Sequence, residues 1–119
     1  MKKIILGSVL AVAAASSFNA QAGATAHICS AGTAAGNGAA ISAGGFVKTA
    51  FTPKCSANVF LAADDMTSYY GAGASSNKGK NIFQGSTAGG GVKAYSTCAS
   101  ATGCTATEAL TAATSAPAS

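Results

Sequence analysis

The chain contains no arginine and no tryptophan, a single histidine, two prolines, and only 8% charged residues. Arginine is the side chain that grips phosphate or carboxylate with a planar two-pronged fork, so its absence argues against dedicated nucleic-acid recognition. One histidine leaves little scope for the acid–base pairs that hydrolases assemble. Long apolar runs are missing as well. The longest, from Ile4 to Ala15, stops well short of the roughly 20 residues needed to cross a bilayer.

That run has a different use. Lys2 and Lys3 precede it, a polar stretch from Ser16 to Asn19 follows, and Ala20-Gln21-Ala22 places small residues where signal peptidase requires them. Residues 1–22 therefore read as a cleavable signal peptide, with cleavage after Ala22 and delivery by the general secretory route to the periplasm or medium. No stable membrane span is expected after cleavage. The mature segment has 97 residues, the size of one domain. Its charges are Lys48, Lys54, Lys78, Lys80 and Lys93 against Asp64, Asp65 and Glu108, so it carries a formal +2 rather than the +4 of the whole chain.

The mature segment is also short of bulk. Ala, Gly, Ser and Thr make up 61 of the 97 residues, and large apolar or aromatic side chains number 16. A core this thin needs covalent support. Cys29, Cys55, Cys98 and Cys104 all lie beyond the cut and are even in number, which in an exported chain predicts two disulfides. Three pairings are open; the low entropy of closing a short loop favours Cys98–Cys104, leaving Cys29–Cys55. A four-thiolate zinc site is the rival reading, but the spacings lack the paired Cys-x2-Cys knuckles it uses.

The stretch 23–45 is a Gly/Ala-rich arm expected to be flexible. Residues 46–104 hold nearly all the bulky side chains, in bursts separated by turn residues. The bursts are Phe46 to Phe51, Ala57 to Ala62, Thr67 to Gly73, Asn81 to Ser86 and Val92 to Cys98, and Thr25 to Cys29 is a sixth candidate. Thr52-Pro53-Lys54, Ala63 to Met66, Ser75 to Gly79 and Gly89-Gly90-Gly91 supply the turns. The fold expected is all-β: a small antiparallel sheet or sandwich of five to six short strands, stapled by disulfides. Residues 105–119 form a low-complexity tail, with a short helix near Thr107 to Ala113 as an option and the last residues expected to be disordered.

Several residues invite a chemical role. His27 would need a nucleophile and an orienting carboxylate, and no local pattern supplies them. The segment Ala74 to Asn81 departs from a phosphate-binding loop at both ends and reads as a polar hairpin turn. Asp64-Asp65 has too few neighbouring oxygens for calcium and reads as a solvated turn. No catalytic, cofactor or metal site is assigned. The remaining candidate is a ligand face of Tyr69, Tyr70, Lys78, Lys80, Phe83, Lys93 and Tyr95, where rings beside cations on a sheet would suit an anionic polysaccharide.

These observations favour a small exported, non-enzymatic structural or interaction protein of the cell envelope or extracellular space, with self-assembly by strand exchange as a sharper form. The alternative is a monomeric periplasmic ligand-binding or inhibitory module that uses the Tyr/Lys face. Non-reducing mass spectrometry of secreted material should give the mass of residues 23–119 less four hydrogens; a mass that retains Met1 would overturn the export reading.

Overall fold

A computed structural model describes residues 25–31 and 35–118. The expected signal peptide lies outside the described residues. Among these residues seven strands and one helix follow in order: β1 (Thr25–Ser30), β2 (Gly36–Asn37), β3 (Lys54–Cys55), β4 (Val59–Asp65), β5 (Tyr70–Ser76), β6 (Asn81–Ser86), β7 (Lys93–Thr97) and α1 (Ala106–Thr114). The fold is all-β with one short helix. Five strands form an antiparallel sheet in the order β1-β4-β5-β6-β7, and β2 pairs with β3 in a separate ribbon.

Local chemistry explains the β4 to β7 meander. Asn58 takes a positive φ just before β4, Asn77 and Lys78 turn β5 into β6, and a Gly89-Gly90-Gly91 run with positive φ throughout precedes β7. The register then sorts residues by side. Ala62 faces Gly73, Gly73 faces Gln84, and Phe60 faces Ser75, which sets these residues on the side that α1 covers. Leu61, Ala63, Ala72, Ala74 and Phe83 fall on the other.

Small side chains do the packing under the helix. Ala62, Ala109 and Ala113 are fully buried together, with Phe60 and Leu110 against them, while Ile82, Cys104 and Ala112 form an adjoining cluster. The close approach has a backbone requirement. A Cβ built on Gly73 would strike the Ala109 carbonyl oxygen and the Ala113 nitrogen, and one on Gly71 would strike the Ala113 carbonyl oxygen. The composition that looked too poor for a core is what lets helix and sheet touch.

On the opposite side, Ile28, Cys29 and Ala63 are buried with Ala26, Ile41, Cys55, Leu61 and Tyr70 packed against them. The segment that leads from β2 to β3 covers this half of the sheet, and Cys29–Cys55 pins it there with Cα atoms 5.7 Å apart. Cys98–Cys104, at 5.0 Å, closes the loop between β7 and α1. The pairing favoured by loop length is the one present.

Several expectations are corrected. Phe46 to Phe51 is not a strand: β1 occupies the place beside β4, and Phe51 makes only an isolated bridge to Ile41. The stretch 23–45 is not wholly an arm, since it supplies β1 and β2. Asp64 and Asp65 are not a solvated turn but the end of β4, 6% and 9% exposed. Each has a donor: the Thr25 hydroxyl donates to Asp64 at 3.0 Å, and the Phe46 amide donates to Asp65 at 2.7 Å. The third burst lies three residues later than expected, because Ser75 and Ser76 continue β5.

The tail is corrected in part. The helix option near Thr107 to Ala113 is met, and order runs further than expected, since Ser115 caps the helix and Ala116 is buried. Thr105 and Glu108 form a reciprocal capping box at its start, which satisfies amides that a helix N-terminus otherwise leaves open.

Gly73→Ala should lower unfolding free energy by about 1 to 3 kcal/mol through overpacking against helix backbone. Gly36→Ala, where nothing lies within 4 Å of the added carbon, should stay within about 0.5 kcal/mol in the same urea titration.

Candidate functional site

The seven residues expected to form one ligand face are divided by the sheet. Tyr70 and Phe83 lie on the side away from α1, with Tyr70 packed against the Ile28 cluster and Phe83 43% exposed. Tyr95 is on the helix side: it is the extra residue where the β6–β7 register shifts, and its hydroxyl meets the Ser115 hydroxyl at 3.3 Å. Lys93 pairs with Gln84 and so shares the helix side. Lys78 and Lys80 are exposed at the β5–β6 hairpin, and Tyr69 precedes β5. Burial, with the Asp65 carboxylate nearby as a second cause, pushes the Tyr70 hydroxyl above its ordinary pKa. No single platform of rings and cations results.

Nor do the other candidates converge. His27 is exposed on β1 opposite Ala62, and it is Thr25 that reaches Asp64. Asp64 and Asp65 project to opposite sides of β4, as successive residues of a strand must. The segment 74–81 is a hairpin in which the Gly79 amide donates to the Ser76 carbonyl.

Two features emerge instead. The first is the half of the sheet that neither α1 nor the β2–β3 segment covers. Away from the helix, β5 presents Ala72, Ala74 and Ser76, β6 presents Asn81, Phe83 and Gly85, and β7 presents Ala94 and Thr97. None of these is charged. Val92 lies against Gly85 and is 78% exposed, which extends the apolar surface around Phe83.

The second is the junction between β7 and α1. Glu108 accepts from the Ala99 amide at 2.7 Å, the Thr105 amide at 2.7 Å and the Thr105 hydroxyl at 3.0 Å. Ala99 and Thr105 each follow a bridged cysteine, so one carboxylate clamps both ends of the Cys98–Cys104 loop. Those amide donors, Ala99 foremost, hold the Glu108 carboxyl below its ordinary pKa. Beside it a shallow groove of about 310 Å³ runs between β7 and the helix, lined by Tyr95, Ser96, Thr97, Glu108 and Thr111 over a floor of Ile82. The sequence carried a signal for this clamp in Thr105-x-x-Glu108, the pattern of a capping box.

No family model, no curated protein and no solved structure matches the chain. Any functional reading therefore rests on the residues themselves.

A carboxylate whose pKa is lowered in the folded state stabilises that state above its unfolded pKa and loses the contribution as pH falls through the folded value. Wild type should therefore exceed Glu108→Gln in urea stability at neutral pH. The gap should close as pH drops below the ordinary carboxylate range, and a gap that is constant with pH would show that the clamp does not depend on ionisation.

Proposed function

We propose that the chain is a small exported, non-enzymatic structural or interaction protein of the cell envelope or extracellular space, and that it associates with itself through the helix-free half of its sheet. The observation that carries this reading is the uncharged surface around Phe83. Isolated apolar residues on a surface are ordinary, but a contiguous patch marks an interaction site. Here an exposed ring stands beside a floor of Ala72, Ala74, Gly85 and Ala94, so one surface offers both a projection and a hollow. A two-fold contact asks for that self-complementarity. Two copies would also meet there without like charges opposed, since Lys78 and Lys80 sit at the hairpin and Lys93 on the other side.

Export is supported by the leader-like composition of residues 1–22 and by the two disulfides, which persist in oxidising compartments. Among the described residues no helix is long and apolar enough to cross a membrane.

Association by the face has more support than association by strand exchange. Both edges of the sheet are blunted in the ways that oppose added strands. On β1 a bulge falls between His27 and Cys29, and the Ile28 carbonyl already accepts from the Ala39 amide. On β7 a bulge falls at Tyr95, and Lys93 begins the strand. A monomeric ligand-binding module has less in its favour, because the rings and lysines it would use are divided between two sides.

Sedimentation equilibrium of the oxidised, processed chain should show concentration-dependent association. Phe83→Lys, with unchanged far-ultraviolet circular dichroism, should weaken it by about 2 kcal/mol, roughly thirtyfold. A strict monomer at high concentration would overturn self-association and return the advantage to the periplasmic module.

A further inference from the structure

The junction clamped by Glu108 has a second capacity. The Sγ atoms of Cys98 and Cys104 and a Glu108 carboxylate oxygen all lie within 4.8 Å of one another. Two thiolates on a shared zinc ion, each at about 2.3 Å, stand about 3.8 Å apart, and a carboxylate oxygen binds at about 2.0 to 2.2 Å. The three atoms are therefore gathered closely enough to share one ion once the sulfurs are no longer bonded to each other.

The surroundings favour a cation. The carbonyl oxygens of Gly79 and Asn81 lie 3.6 and 3.7 Å from Cys104 Sγ, and the Ala99 and Thr105 amides each donate to the Glu108 carboxylate at 2.7 Å. Oxygens of this kind raise the cost of an uncompensated thiolate, and a divalent ion reverses that cost. The same amides orient the carboxylate, as outer partners do around a metal ligand, and one lone pair is left on Oε1, which accepts only from Ala99. Cys104 is buried, but Cys98 and Glu108 are not, and the groove along Thr97 and Ala99 leads to Glu108 as a path for entry. The capping box and the contacts among Ala62, Ala109 and Ala113 hold α1 on the sheet without using the bridge.

We propose that the reduced chain binds one thiophilic divalent cation of the zinc class through Cys98, Cys104 and Glu108, so that disulfide and metal are alternative states of one site. A dithiol reductant supplies two electrons and two protons to the Cys98–Cys104 bond and is itself oxidised to a disulfide. Two thiols result. The cation displaces one proton from each sulfur, releasing two protons to solvent, and water completes its coordination. Cys29 and Cys55 take no part, since among the described residues no carboxylate is grouped with them in this way. The site does not depend on export or on self-association, and its failure would leave the proposed function standing.

The test uses the intact chain, oxidised or reduced with a phosphine, titrated with Zn2+ or Cd2+ and read by native mass spectrometry and by cadmium–thiolate absorption. One ion per reduced chain and none per oxidised chain is expected. Zinc should protect Cys98 and Cys104, but not Cys29 and Cys55, from alkylation mapped by peptide mass, and this arm needs no variant. Glu108→Gln should weaken binding by about tenfold or more. Absence of binding to the reduced chain, protection of Cys29 and Cys55 instead, or an unchanged affinity in Glu108→Gln would each overturn the assignment.

Discussion

Contact between the alanines of α1 and the glycines of β5 is the constraint on which the rest of the molecule depends. A helix normally stands off a sheet by the length of its side chains. Here Gly71 and Gly73 remove the sheet's half of that spacing, and Ala109, Ala112 and Ala113 reduce the helix's half. Few large side chains are then needed to fill the space. The cost is low tolerance, since a single added carbon on Gly73 meets backbone, which cannot rotate aside as a side chain could. The capping box and the Cys98–Cys104 loop act on the same contact by fixing where the helix begins.

Much of the sheet was legible because turns carry chemistry of their own. The Ser75 to Gly79 stretch and the Gly89–Gly91 run supply the residues that turns favour, so β6 and β7 could be bounded closely from their flanks. What misled was alternation without context. Phe46 to Phe51 alternates as a strand should, but it pairs with no strand of the sheet: its Phe46 amide serves the Asp65 carboxylate, and Phe51 bridges to Ile41. Asp64 and Asp65 resembled a turn by composition alone. Nothing local announces that donors from 19 and 39 residues away will satisfy them inside the structure.

The helix shows the opposite failing. Its N-terminal signal was present in Thr105 and Glu108, yet an alanine-rich run has little amphipathic contrast, so its buried side could not be told from its exposed one. The supposed ligand face failed for a third reason. Neighbouring strands were foreseen correctly, but the side on which a residue falls depends on register to a single position, and the bulge at Tyr95 changes that count within β7. The uncharged surface around Phe83 was invisible beforehand for the same reason, because it is assembled from alternate residues of three strands.

The order of strands carries a consequence for how the chain reaches its shape. The path from β4 to β7 joins neighbours through short turns, whereas β1 pairs with β4 across a separation in which Thr25 meets Asp64, 39 positions later. Contacts of low sequence separation close first, since less chain entropy must be lost to form them. A polypeptide that emerges with its amino end leading therefore presents β1 long before a partner exists for it. By that entropy argument the β4–β7 meander closes more readily than the pairing of β1 along its edge.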